Sequence, residues 1–449
     1  MAPHARFNFK TLAELKAKIA ELEVEIKLQD DLAPLSRRVR IGDQETPNSL
    51  AVLPMEGCDG TEDGAPSELT FRRYRRFAAG GAGLLWFEAT AVVPEGRANP
   101  RQLHINRRNL PAFKELLHDS LEAARHSMGS DHRPLCILQL THSGRYSKPF
   151  GQQQPVIAYH DPYLDGPAGV TPDQAPITDA ELEQLQARYV EAALLAREAG
   201  FDGVDLKSCH RYLLSELLAA HTRHGKYGGE FANRVRFLLE TIARVRAAVG
   251  DELVLAVRLS ACDAHPYPYG WGVDREDCTR PDLREPKQLL HLLQQQGVSL
   301  MAVSAGNPYY NRPDVTRPFD TPLVGAAIPP EHPLESVARL FSVTREMQMA
   351  EPEVAIVGSG YSWLRQFLGH AAAANIAGRA VTLAGVGREA FAYPDFARDL
   401  LTRGYLDAHK VCIACSRCTQ IMRDGGKTGC VIRDADLYLP IYKAGRASK

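Results

Sequence analysis

GFDGVDLKSCHRYLLSELLAAHTRHGKYGGEFANRVRFLLE, residues 200–240, decides the fold. It opens on a short apolar run alternating with acids, Phe201 to Leu206, bounded by Gly200, as suits a strand buried in a parallel sheet. Lys207, His210 and Tyr212 follow at the strand's carboxyl end, and Leu213, Leu214, Leu217 and Leu218 then pin the segment to a core. After a glycine-broken loop, Asn233 to Val249 runs at helical spacing, with Phe237, Leu238, Ile242 and Val245 on its apolar face. The unit reads strand, reactive loop, helix, and barrel enzymes keep their reactive groups at the carboxyl ends of their strands.

The same alternation runs through the chain. Strands are expected at Leu50–Met55, Gly83–Glu88, Leu135–Leu140, Gly203–Leu206, Leu253–Leu259, Leu300–Ser304, Val354–Val357 and Ala380–Leu383. Helices between them include Glu68–Ala79, Asn109–His126, Asp179–Ala199 and Glu331–Met347. Eight consecutive βα units predict an α/β protein whose parallel strands close into a (β/α)8 TIM barrel. An open doubly wound sheet is the alternative. Residues 9–28 repeat apolar positions at helical spacing and predict an amphipathic helix, either packed on the barrel or acting as a dimerisation element. Three regions result: a helical extension (1–47), the barrel (48–405) and a cysteine-bearing tail (406–449). Long Pro-, Gly- and aromatic-rich loops, 141–178 and 261–284, are expected to wall a substrate cavity.

Composition narrows the function. A formal net charge of −1 gives no electrostatic footprint for nucleic acid or anionic membrane. No apolar run approaches the ~20 residues a membrane span needs, and the amino terminus lacks a secretory apolar core, so a cytoplasmic protein is expected. Five of the nine cysteines are scattered, but Cys412-x2-Cys415-x2-Cys418-x11-Cys430 is a ligand pattern. Three thiolates two residues apart can wrap one corner of a cuboidal cluster and a distant fourth can close it, predicting [4Fe–4S]. Zinc is the rival, although structural zinc more often uses two separated C-x-x-C pairs.

Lys207-Ser-Cys-His210-Arg-Tyr212, followed by Tyr227-Gly-Gly and Asn233-Arg234, resembles the H-x-x-H/N-x-Y frame and downstream motifs of Old Yellow Enzyme family flavin reductases, with lysine at the first histidine. With the cysteine tail, the resemblance is to that family's iron–sulfur branch, which contains 2,4-dienoyl-CoA reductase and trimethylamine dehydrogenase. It implies an FMN-binding ene-reductase in which Tyr212 donates a proton and Lys207 and His210 polarise the substrate. Pro54, Met55 and Glu56 would lie against the flavin ring, and Ala89 and Gln139 at its pyrimidine edge. Arg258 would sit beside flavin N1 and the C2 carbonyl, where a fixed cation stabilises the anionic reduced ring. Gly358 and Gly360 in Val357-Gly-Ser-Gly360, and Gly387 and Arg388 in Gly385-Val-Gly-Arg388, are expected to bind its phosphate through backbone N–H groups after late strands.

His142, Arg145, Tyr309 and Tyr310 are candidate substrate contacts, and Arg97 and Arg101 could meet an acidic one. A lysine ammonium is a mobile point charge, which suggests a substrate with a carboxylate or strongly polarised carbonyl. The sequence ends at Lys449 without a second nucleotide-binding βαβ unit, so electrons are expected from NAD(P)H at the flavin or from a separate donor protein through the cluster. Three other readings stay open: an amine-oxidising flavin dehydrogenase passing electrons out through the cluster, a zinc-stapled lyase using Lys207 as a Schiff-base amine, and an electron-relay subunit with no substrate of its own.

Overall fold

The computed structural model describes residues 4–310 and 317–448. Eight parallel strands close into one barrel: β1 (Leu50–Val52), β2 (Leu84–Ala91), β3 (Leu135–Thr141), β4 (Gly203–Leu206), β5 (Val254–Cys262), β6 (Val298–Ala305), β7 (Ala355–Gly358) and β8 (Leu383–Val386). Ala384 pairs with Leu50 and Val386 with Val52, which seals the cylinder without a free edge. The outer helices are α1 (Glu68–Ala79), α2 (Leu110–Met128), α3 (Asp179–Ala199), α4 (Arg236–Val249), α5 (Arg284–Gln295), α6 (Pro333–Ala350), α7 (Leu368–Ala377) and α8 (Phe396–Arg403). The chain is thus a (β/α)8 barrel.

Strand residues divide by the period of two. Leu84, Trp86, Leu135, Ile137, Val254, Ala256, Leu300, Ala302 and Val357 fill the interior, while Leu85, Phe87, Cys136, Leu138, Val204, Leu255 and Val257 face the helices. A short antiparallel hairpin, Val39–Ile41 with Gln44–Thr46, sends Val39 and Ile41 into the interior cluster. Alternation over so few residues hides such a hairpin from a sequence reading.

Two expectations need correction. The last strand begins three residues later than Ala380, because Gly378 and Arg379 (φ 55°) still belong to the turn after α7. Gly385 therefore lies within β8 and not in the following loop. A Cβ there would come within 2.7 Å of Val357 Cγ1 and 2.9 Å of Leu53 Cγ, so the close interior packing demands glycine. The amino-terminal helix is only Leu12–Glu21. From Val24 the apolar residues recur every second position, and the chain runs on extended, burying Ile26 and donating Gln29 N–H to the His370 carbonyl of α7.

Ion pairs buried behind the strands hold the barrel's first turn. Arg73 of α1 bridges Asp59, at 2.9 Å, and Glu88 of β2, and all three side chains are almost fully buried. Tyr74 stacks on Phe87 beside them and its hydroxyl accepts the Glu88 N–H. Burial raises the Glu88 carboxyl to about 7 against the pull of Arg73. Removing the guanidinium would strand two buried acids. Arg73→Met should therefore lower unfolding free energy by about 3–5 kcal/mol, read by urea denaturation. An unchanged midpoint would show that the pair contributes nothing.

Candidate active site at the carboxyl mouth of the barrel

Lys207, His210 and Tyr212 follow β4 directly. The turn passes through two consecutive left-handed residues, His210 (φ 62°) and Arg211 (φ 58°), which non-glycine residues rarely adopt. Arg211 holds it in place: fully buried, it pairs with Asp161 from the loop after β3 and Asp263 after β5, each at 3.2 Å, and donates to the Tyr159 hydroxyl. His265 joins through Asp161 at 2.8 Å. The side chains on either side of Arg211 are thereby aimed at the mouth.

There Lys207 Nζ lies 3.0 Å from Glu56 Oε1 and 3.8 Å above the Tyr212 ring. Tyr212 donates its hydroxyl to the same Glu56 oxygen at 3.4 Å. Burial, reinforced by the Glu56 charge, pushes the Tyr212 phenol well above its usual range. Burial, with Arg258 and Lys207 nearby, pushes His210 well below the usual histidine value, so its imidazole is neutral at pH 7. Glu56 and Lys207 thus form a matched ion pair at the mouth.

Floor and walls come from other strands. Arg258, on β5, donates from Nη1 to the Pro54 carbonyl at 3.3 Å. Met55 abuts the start of the loop after β8, since a Cβ on Gly387 would lie 2.7 Å from its sulfur. Gln139 donates Nε2 to Asp205 Oδ2 at 2.5 Å, so its amide is anchored inside the barrel as well as facing the mouth. Ala89 is buried in β2, its carbonyl accepting from Gln102. Gly358 closes β7 and Gly360 (φ 100°) opens the next turn. The helices that follow are short, a 3-10 helix over Tyr361–Phe367 and five residues over Arg388–Ala392. Arg388 donates Nη2 to the Pro318 carbonyl, while its buried Nη1 has no partner among the described residues. A fixed cation at a strand end and an orphaned guanidinium donor after the last strand fit a flavin mononucleotide.

The substrate candidates separate. Tyr309 stacks on Tyr146 with centroids 3.5 Å apart and lies 6.5 Å from the Tyr212 ring, about two-fifths exposed at the mouth. Tyr310 meets His265 edge to face at 4.5 Å. Arg145 is not a cavity residue: it is fully buried between Glu216 and Asp165 and bonds the Tyr159 carbonyl, because an unpaired guanidinium could not be buried there. His142 is also buried, its Nδ1 accepting the Gly144 N–H, and burial lowers it to about 4. Arg97 and Arg101 tie loops together through the carbonyls of Glu62, Pro100 and Pro149, and of Cys58 and Gly425.

Cys412, Cys415, Cys418 and Cys430 line one cavity with Arg388, Phe391 and Arg433. Left-handed Ala414 (φ 49°) and Ser416 (φ 58°) curl the loop so that its three thiols face inward. The Ala414 and Arg433 N–H groups point at the Cys412 and Cys430 sulfurs, 3.4 and 3.3 Å away. Among the described residues, no three His, Cys, Asp or Glu side chains are set to hold a single ion. The thiols surround a cavity, and that arrangement with N–H donors at sulfur fits a cuboidal cluster. The tail docks on the barrel through Asp434, which pairs with Arg72 at 2.8 Å and Arg76 at 2.6 Å, and through the Thr428 N–H to the Gly57 carbonyl at 2.6 Å. No helix among the described residues is long and apolar enough to cross a membrane.

Sequence reading missed Asp205 as a site residue. It sits inside the barrel, accepting from Trp86 Nε1 (2.9 Å), Gln139 Nε2 and the Arg258 N–H (2.6 Å). An acid in the middle of a fully buried strand was the available signal. Burial lifts its carboxyl from 3.8 to about 6 despite those donors. The folded state then binds this proton more tightly than the unfolded chain, so the contribution to stability is full below pH 3.8 and is lost as pH rises through 6. Asp205→Asn should flatten the dependence of the urea midpoint on pH between roughly 4 and 6; an unaltered slope would place the titration elsewhere.

A closed (β/α)8 barrel with a lysine, a histidine, a tyrosine and a fixed arginine gathered at its carboxyl mouth suits an oxidoreductase of the flavin-binding barrel class. The profile of the NADH:flavin oxidoreductase / NADH oxidase family matches residues 35–268, more than half the chain, and the protein belongs to that family. An NADH oxidase of Thermoanaerobacter brockii is 32% identical over 285 residues, 62% of this chain and 40% of the relative. An NADPH dehydrogenase of Geobacillus sp. strain WCH70 is 32% identical over 264 residues, 58% of this chain and 69% of the relative. Among solved structures, a complex of 2-naphthoyl-CoA reductase superposes with a TM-score of 0.72 at 18% identity, covering 90% of this chain and 57% of that one. The chain thus spans about half the length of some of the proteins it matches.

Proposed function

We propose that the protein is an FMN- and [4Fe–4S]-dependent ene-reductase, with residues 48–405 as the flavin barrel, 406–449 as the cluster segment and 1–47 as a packed extension. The observation that carries the reading is the convergence of the Tyr212 hydroxyl, Lys207 and neutral His210 opposite Arg258 at one mouth. FMN, when bound, supplies hydride chemistry toward the β-carbon of an activated alkene, replenished by NAD(P)H or by a donor protein through the cluster.

Neutral His210 donates its N–H to the activating carbonyl, and the Lys207 charge stabilises the negative charge that develops there. Tyr212, held protonated by burial, keeps the proton destined for the α-carbon, a contribution of about 10²- to 10⁴-fold. Because Glu56 neutralises Lys207 at 3.0 Å, a carbonyl or CoA thioester suits the site better than a free carboxylate. The same pairing occupies Lys207 Nζ with a carboxylate, which opposes a Schiff-base role. The amine-oxidising direction keeps one supporting observation, the Glu56 carboxylate 3.4 Å from Tyr212, where a base for substrate protons would be useful. Bleaching of the oxidised flavin by amines, without alkene turnover after reduction, would select it.

Protein purified without oxygen should show flavin bands over a broad iron–sulfur shoulder, with about one FMN and four irons per chain. A colourless, zinc-containing sample would overturn the assignment. Lys207→Met should remove most alkene turnover and leave the flavin content intact. Undiminished turnover on every reducible alkene would exclude Lys207 from the reaction.

A further inference from the structure

We infer that Glu56 is a proton relay between Lys207 and Tyr212, which restores the Tyr212 proton after each turnover; this rests on the ene-reductase reading. One oxygen, Glu56 Oε1, is shared by the Lys207 ammonium (3.0 Å) and the Tyr212 hydroxyl (3.4 Å). Lys207 is 3% exposed and Tyr212 4%, whereas the Glu56 side chain, at 14%, is the most open of the three, so solvent protons enter the trio at Glu56. The other ionisable groups felt at Glu56 are Cys58 on the same loop and Tyr309 after β6. Local desolvation and the Glu56 charge raise both groups, so each keeps its own proton.

The charges dictate the direction of transfer. Before reaction the trio is neutral overall: Glu56 anionic, Lys207 cationic, Tyr212 uncharged. When Tyr212 gives its proton to the α-carbon, a C–H bond forms, the tyrosine O–H breaks, and a tyrosinate is left beside a carboxylate. Two adjacent anions in a buried pocket are strongly disfavoured. A proton passing from Lys207 Nζ to Glu56 Oε1, and from Oε1 to Tyr212 Oη, removes the tyrosinate and leaves a neutral amine. Lys207 then recovers its proton from water by way of the more open Glu56 carboxylate. No electron moves in these steps, and the proton lost to product is the proton regained from solvent.

A nitroalkene separates hydride from proton delivery, because hydride addition yields a nitronate that persists until its α-carbon is protonated. With 1-nitrocyclohexene as probe and anaerobically reduced holoprotein, the native chain should release nitrocyclohexane. Glu56→Gln keeps the size and polarity of the side chain but cannot pass a proton, and should raise the ratio of released nitronate to nitroalkane by about tenfold or more. Glu56→Asp should restore much of the nitroalkane, and Tyr212→Phe should give nitronate as its main product. Flavin absorbance in each variant reports whether the site is intact. A native product ratio in flavin-loaded Glu56→Gln would overturn the relay, as would equal slowing of hydride and proton delivery, which marks a positioning role. If the native protein's reduced flavin is not reoxidised by this probe or by simple enones, the ene-reductase reading fails first, and the relay falls with it.

Discussion

Arg211 is fully buried among Asp161, Asp263 and Tyr159, in a backbone conformation that glycine would adopt more readily. A non-glycine residue in that region costs about 1–2 kcal/mol, and here two stand in succession. The strain persists because the guanidinium cannot leave without stranding two buried carboxylates. The loops after β3, β4 and β5 are thereby locked to one another, and Lys207, His210 and Tyr212 present themselves at a single mouth. Arg145, held by Glu216 and Asp165, braces the long loop after β3 against the helical turn that follows Tyr212. The polar chemistry of the mouth thus stands on a second, hidden layer of charge.

The cysteine segment is joined to the same structure. Asp434 fastens it to the face of α1, and Thr428 bonds to Gly57, next to Glu56. Arg388 lines the cysteine cavity and also begins the turn after β8. A carrier held among the thiols would thus stand against the turn that follows β8. Burial of Glu389, which accepts the Cys412 N–H and rises to about 8, adds a nearly neutral acid to that wall.

Much of this was legible from residue order. Short apolar runs separated by helical periods located all eight strands to within three residues at either end, the last one displaced by three at both, and the spacing of Cys412, Cys415, Cys418 and Cys430 marked a ligand segment. The last strand slipped because Ala380 to Val386 is apolar but for Thr382 and offers no alternation to fix its register. Arg145 and Arg97 were misplaced for another reason: a charged residue in a loop reads as a ligand contact unless its buried partner is known, and Glu216 lies 71 positions away from Arg145.

The amino-acid sequence by itself determined the barrel, the strand that carries Lys207, His210 and Tyr212, and the four thiols of the tail, because these depend on local periodicity and short spacing. The tertiary structure alone decided that Glu56 neutralises Lys207, that Asp205 anchors Gln139 and Arg258, and that Arg388 borders both the mouth and the cysteine cavity. The two carboxylate contacts join residues from 53 to 151 positions apart, where the sign and burial of a charge are set by whatever the closed barrel brings beside it. No local pattern encodes that neighbourhood.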